Sequence, residues 1–396
     1  MLTLGSVIGA VMVALVGITG DRFGRRPVLI GIGALGAVGA LALALSANVA
    51  VVVVASGLGG IGRGGGAGSG GAFGPFFPAE QPLLASSVTS AQRTRVFGRI
   101  GFIGVLAAAA GSLVAGVPVL LHHAGLSWIG AYRIVFLLAA VASALVVLAC
   151  LPLKERRPSA PAGGSEPPAS AAAARAASAP AGLSTRQLIG RFGFTNALNG
   201  FGFGFLGPLL TYWFHVRFGV GPAEVGILFT IVNLAGALPY LGAHLISDRL
   251  GSVLTVVVTR TLSIVMLAAM AVVPDFFLAG LFLNLRTVFN SLGMPARQSY
   301  AMGAADERHR GTVAALGSLP SMVTSSISPV VGGAVMDSFV DIPIVGAAVF
   351  MAANVLAYYL AFRHAPLPGE VHRGPARAAG GEPAGASAPA SERGAG

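Results

Sequence analysis

Gly57, Gly59 and Gly62 stand at G-x-G-x-x-G spacing behind the β-branched run VVVV, and Glu80 follows at nearly the distance of a ribose-binding acid. In a soluble strand–turn–helix unit such a set cradles a dinucleotide. A second pattern uses the same acid. Pro78-Ala79-Glu80-Gln81 is echoed by Pro295-Ala296-Arg297-Gln298, and both stretches lie in apolar surroundings. A charged side chain inside a membrane costs about 2.5–3.5 kcal/mol or more unless it is paired or hydrated. Glu80 and Arg297 could therefore pair across a cavity and gate it, or Glu80 could exchange protons or bind a cation. Gln81 and Gln298 add polar groups beside them. The bland alternative is that both charges snorkel to the interface. Arg63 and Arg286 also fall within apolar stretches, and Asn196 and Asn199 are about one turn apart in a phenylalanine-rich stretch, so they share a helix face. Two amides on an aromatic wall suit an amphipathic ligand; the competing reading is lipid-facing rings with a small-residue packing face.

Which chemistry is open depends on the solvent. The chain has 396 residues, a mean hydropathy of +0.80 and only 10% charged residues, against about 25% in soluble proteins. The class is an all-α polytopic membrane protein. The net charge of +11 sits in short arginine clusters between apolar segments, as in cytoplasmic loops beside an anionic membrane, and not as in a nucleic-acid-binding surface. The single cysteine, Cys150, makes no intramolecular disulfide. No metal-ligand cluster, P-loop or G-x-S-x-G motif occurs, so no cofactor, no metal, no enzyme activity and no ATP-driven pumping are expected. The first apolar stretch is followed, not preceded, by its arginines, so no cleavable signal peptide is expected there.

Apolar stretches long enough to span lie near residues 3–19, 28–46, 49–87, 99–121, 129–151, 188–214, 223–246, 253–273, 275–303, 312–336 and 343–362, about eleven spans. Arginine-bearing connections alternate with bare ones, which puts the basic side in the cytoplasm, the C-terminus inside and Met1 outside. An odd count with an external start implies that one helix is missing ahead of Met1. Residues 154–185 include a Pro/Ala/Ser/Gly-rich linker and 366–396 a tail of the same composition. They leave a front bundle, 1–153, and a back bundle, 186–365. As one helix, residues 49–87 would run about 58 Å, nearly twice the bilayer core, so a discontinuity is expected between Gly62 and Gly71. A dinucleotide fold would need a second strand in water, which this context does not offer.

The bundles repeat each other. The spacing from Pro78 to Arg93 equals that from Pro295 to Arg310, and Gly20-Asp21-Arg22-Phe23-Gly24 answers Ser247-Asp248-Arg249-Leu250-Gly251. Two matched pairs in the same order indicate duplication of a six-helix unit. At Gly17-x-x-x-Asp21-Arg22-x-Gly24-Arg25-Arg26 the chain resembles the major facilitator superfamily, whose signature joins its second and third helices. Asp248, Arg249 and Gly251 resemble its weaker echo, and residues 132–155 resemble the sixth helix and its exit. The resemblance covers residues 1 to 365 and implies two helical bundles around a central cavity, alternating access, and the absence of the family's first helix here.

In that picture Asp21 meets the start of the helix near Gly311 and latches the two bundles on the cytoplasmic side. Asp248 does the same near Gly98, and Gly17 and Gly24 permit close approach. The bland alternative is a loop that only sets topology. The family's antiporter motif is degenerate at Gly111-Ser112-Leu113-Val114-Ala115-Gly116 and closer at Ser328-Pro329-Val330-Val331-Gly332-Gly333, which weighs toward export. The expectation is a monomeric secondary transporter in a bacterial-type inner membrane, exporting small organic or amphipathic compounds by proton exchange. The alternatives are a non-transporting sensor or scaffold, a truncated inactive product and, on the glycine motif alone, a membrane dehydrogenase.

Overall fold

The computed structural model describes residues 2–46, 48, 51, 55, 76–115, 117–153, 184–207, 209–336 and 340–365. The glycine run with Arg63, the expected break between Gly62 and Gly71, nearly all of the 154–185 linker and the 366–396 tail lie outside them.

The described residues are helical throughout, without a strand. The front half holds α1 (Leu2–Phe23), α2 (Arg25–Leu45), α3 (Phe77–Ser87), α4 (Ser90–Ala115), α5 (Val117–His123) and α6 (Trp128–Cys150). The back half holds α7 (Thr185–Leu206), α8 (Leu209–Phe218), α9 (Pro222–Ala237), α10 (Pro239–Leu250), α11 (Ser252–Val272), α12 (Phe276–Ala304), α13 (Arg310–Met336) and α14 (Ile342–Phe362). Seven of these helices are long and apolar enough to cross a membrane, and α9 with α10, bent by 43° at Leu238–Pro239, makes an eighth. Helices α1 and α7 have 22 residues each, again a spanning length. The described part of the 49–87 stretch is the 11-residue helix α3, with most of the stretch outside the described residues. The 188–214 stretch differs from expectation: Gly207 closes α7, and α8 starts afresh at Leu209.

Helix α7 is the axis of the back half, and its sequence shows why. Gly193, Gly200 and Gly204 lie on one face. A Cβ on Gly200 would stand 2.1 Å from the Thr324 hydroxyl and one on Gly204 would stand 1.8 Å from the Ser328 hydroxyl, both on α13. Small residues let the two backbones close up, and a hydroxyl bonds across them: Thr324 Oγ1 donates to Ala197 O at 2.9 Å. Gly202, on another face of α7, admits Met351 of α14, and Asn354 of α14 donates to Thr195 O. A capping box at Ser184 and Gln187 starts the helix.

The two halves meet at the end that carries the turns Asp21–Arg26 and Asp306–Arg310, called here the basic end. Gly17 of α1 abuts Ala315 and Gly311 of α13, while Gly98 and Gly101 of α4 abut Tyr240 of α10. Phe77, Ala85 and Phe97 of the front half form one buried cluster with Met302 and Ala314 of the back half. Helix α13 follows this division. Val313 and Ala315 at its start are 2% and 0% exposed, whereas Val323 and Val330 farther along are 52% and 73% exposed.

Candidate functional site

Two pieces of geometry at the inter-half contact bear on function. One is at the basic end. Asp21 sits in the last turn of α1, where its own helix offers it only carbonyls. The first turn of α13 supplies donors instead: the Gly311 amide donates to Asp21 Oδ1 at 3.2 Å, and the Thr312 amide and hydroxyl donate to Oδ2 at 2.7 and 2.9 Å. These amides are orphan donors at the positive end of a helix, where a carboxylate is favoured. Asp21 is buried, and Arg25 stands 3.6 Å from Oδ1. Arg25 also donates to Pro82 O of α3, and Arg26 donates to Leu151 O after α6. The signature turn is thus tied to three neighbouring segments of the front half and back half. Arg22 and Arg249 are exposed. Gly24 and Gly251 hold the same place in the repeat and share a left-handed backbone, with φ of 103° and 79°, which any side chain would strain.

The two acids differ in exposure: the Asp21 side chain is buried in the contact between the halves, whereas Asp248 is exposed. Asp248 lies in the last turn of α10, which packs on α4, but Gly98 is two turns inside α4, whose first residue is Ser90. Gly98 presents no helix start. What it offers is a bare surface for the Tyr240 backbone, whose carbonyl oxygen would lie 2.3 Å from an added Cβ.

The other piece is a cavity of about 70 Å³ between the halves. Gln81 and Phe77 line it from α3; Asn196 and Phe192 from α7; Met294, Arg297 and Gln298 from α12; and Gly317, Ser318 and Ser321 from α13. Arg297 donates to Asn196 Oδ1, and Asn196 Nδ2 donates to Gly317 O at 2.7 Å. One turn along the same face, Asn199 accepts from Arg260, whose other nitrogen lies 3.6 Å from Met294 sulfur. Arg286 is buried over the Phe203 ring, 5.5 Å from its centroid, with Met351 sulfur 3.9 Å away.

The expected Glu80–Arg297 pair is not formed in this conformation, since Arg297 is held by Asn196. Helix rotation explains the difference. Adjacent residues point about 100° apart on a helix; Gln81 lines the cavity and Glu80 does not, lying within electrostatic reach of Cys150 at the end of α6. The phenylalanines of α7 have different surroundings. Phe205 packs in the core against Phe350, Phe194 is exposed, and Phe192 reaches the cavity while stacking on Phe362. Arg260 escapes a reading by motif, because the apolar stretch around it dominates. Its signal is the lone charge midway through a 21-residue span. Among the described residues no cluster of metal-binding side chains occurs.

Comparison with known proteins agrees with this architecture. The sequence profile of the Major Facilitator Superfamily matches residues 1–189 and 192–392. No match was found among curated proteins. The fold is similar to that of the human organic anion transporter MFSD10 (TETRAN), with a TM-score of 0.66 and 20% identity over 91% of this chain and 82% of that one. It is similar to the transporter FucP in the outward conformation, with a TM-score of 0.64 and 14% identity over 90% of this chain and 88% of that one. It also resembles the proton:xylose symporter XylE bound to 6-bromo-6-deoxy-D-glucose, with a TM-score of 0.64 and 14% identity over 93% and 87% of the two chains. At these identities the likeness speaks for the fold. With the profile spanning nearly the whole chain, this multi-pass integral membrane protein belongs to the major facilitator superfamily.

Proposed function

We propose that the chain is a secondary active transporter that carries small organic compounds across an inner membrane by alternating access, with its basic end and C-terminus in the cytoplasm. The observation that carries the reading is the junction of Asp21 with the first amides of α13, which ties the halves together at the basic end. A bond between halves that forms in one conformation and must break in the other biases a two-state equilibrium. Asp21 then acts as a cytoplasmic latch, and Gly17 provides the close approach that the latch needs. The proposed direction is export in exchange for protons, on the strength of the Ser328–Gly333 motif, and the working unit is one chain.

The test reconstitutes the full chain in proteoliposomes and follows compound-dependent flux and pH change. Gly17→Leu places a side chain where a Cβ already lies 2.2 Å from that of Ala315. It is expected to abolish flux and to open Ser321→Cys to labelling from the cytoplasmic side. Unchanged labelling together with wild-type flux would sink the latch. Absence of flux for every compound class would sink the transporter.

A further inference from the structure

We propose that the cavity between the halves is an anion site, and that its ligand is an organic monoanion, a carboxylate or sulfonate on an apolar body, held by Arg297 and Gln81. The inference rests on the transporter reading only in taking this cavity as the substrate site.

The first observation is a charge without a counter-charge. Arg260 and Arg286 are buried, Arg297 is accessible only in part, and Arg260 lies within electrostatic reach of both others. Their partners are neutral: amide oxygens of Asn199 and Asn196, the sulfurs of Met294 and Met351, and the Phe203 ring. No carboxylate among the described residues makes an ion pair with any of the three. Cations buried in proteins are ordinarily paired, because desolvation of a lone charge is expensive. A site with three such groups on one side has a strong positive potential, and an entering anion would neutralise it.

The second observation is independent and comes from the other half. Gln81 is 0% exposed to bulk, lines the cavity, and has no hydrogen-bond partner for either Nε2 or Oε1. Leaving such groups unmet costs about 1–3 kcal/mol each. A ligand oxygen between α3 and α12 would accept from Gln81 Nε2 and from the Arg297 guanidinium together. Gln81 Oε1 remains to accept from a ligand N–H or O–H. One anchor from each half is what a ligand needs to sense both.

The remaining walls set the rest of the ligand. Phe77, Phe192, Met294, Ala301 and Val313 are apolar, which suits a hydrocarbon body and disfavours free inorganic phosphate. At about 70 Å³ the cavity holds a head group and a small ring at most; drug-sized sites run to about 300–1,000 Å³. Only Arg297 of the three arginines lines the cavity, hence a single negative charge. A cation would face the Arg297 guanidinium, and Glu80 is not among the lining residues.

Full-length protein in detergent is titrated with benzoate, benzenesulfonate, benzylammonium and benzyl alcohol, following its unfolding midpoint. The two anions should raise the midpoint saturably, and the amine and alcohol should not. Arg297→Gln should weaken anion binding by about tenfold or more, the worth of one charge-assisted hydrogen bond. Gln81→Leu, which breaks no existing bond, should weaken it severalfold with the ligand-free midpoint kept or raised, and Arg297→Lys should retain part of the affinity. Equal stabilisation by amine and acid, no stabilisation by any of the four, or anion binding untouched in both Arg297→Gln and Gln81→Leu would overturn the proposal. Anion binding without flux in proteoliposomes would uphold the site and remove the transporter reading; flux of amine or alcohol alone would do the reverse.

Discussion

Helices α6 and α14 close their respective repeats, yet they are buried in opposite ways. Helix α14 buries Ile344, Ala347, Met351, Tyr358 and Phe362 along one face. Among the described side chains of α6 only Ala131 and Cys150 are buried. Both helices are strongly apolar, so hydropathy does not separate them. What separates them is α7, which fills the groove between α13 and α14 with glycines and phenylalanines; no helix among the described residues does this for α4 and α6. The lesson is specific to membranes. Lipid is as apolar as a leucine side chain, so a bare apolar face is tolerated, and contact is decided by shape and hydrogen bonds.

The sharpest way to break this comparison is to place the same side chain in both grooves. Gly200→Val would drive methyls into Thr324 and Ser321. It should cost about 3 kcal/mol or more, read as a large drop in thermal midpoint of the purified protein. Gly111 on α4 has nothing within 4 Å of an added Cβ, so Gly111→Val should change stability by about 0.5 kcal/mol or less. Similar losses from both would mean that the groove beside α4 is as full as the one beside α13.

A smaller effect separates the two repeat acids. Asp21→Asn exchanges charge-assisted bonds worth about 1.5–3 kcal/mol for neutral ones. Distance distributions between spin labels at the basic ends of α1 and α13 should show a new open population. Asp248→Asn should shift that equilibrium less, because Asp248 is exposed whereas Asp21 is held in the contact between α1 and α13. A larger shift from Asp248→Asn would reverse the assignment of the main latch.

The smallest difference is expected where the halves agree. Gly24→Ala and Gly251→Ala each put a Cβ on a left-handed residue, at a cost of about 1 kcal/mol. The two midpoint shifts should match within error. A clear mismatch would show that the turns differ despite their common backbone.

Much of the architecture is legible in the residues. The spans, their number and the duplicated Asp-Arg turns follow from apolar length and from repeated spacing. The neighbours of those turns do not. That Gly311 lies at a helix start and Gly98 in a helix interior depends on where α13 and α4 begin. The cavity shows a second limit. The motif at residues 78–81 marks the helix, but its rotation about its own axis decides whether Glu80 or Gln81 meets the cavity, and packing against α12 and α13 sets that rotation. Arg260 shows a third, since a single charge vanishes in the average of an apolar span.

The amide tether of Arg297 has an energetic consequence. Asn196 is neutral, so the arginine stays a fixed positive charge on α12 and does not travel with a ligand. An anion that passes it would carry its whole charge through the membrane field. At about 2.3 kcal/mol per charge per 100 mV, an inside-negative potential would by itself hold such a ligand about fiftyfold more concentrated outside. Transport of an organic anion through this site would be electrogenic, and its outward direction would be driven by voltage even where no proton moves the other way.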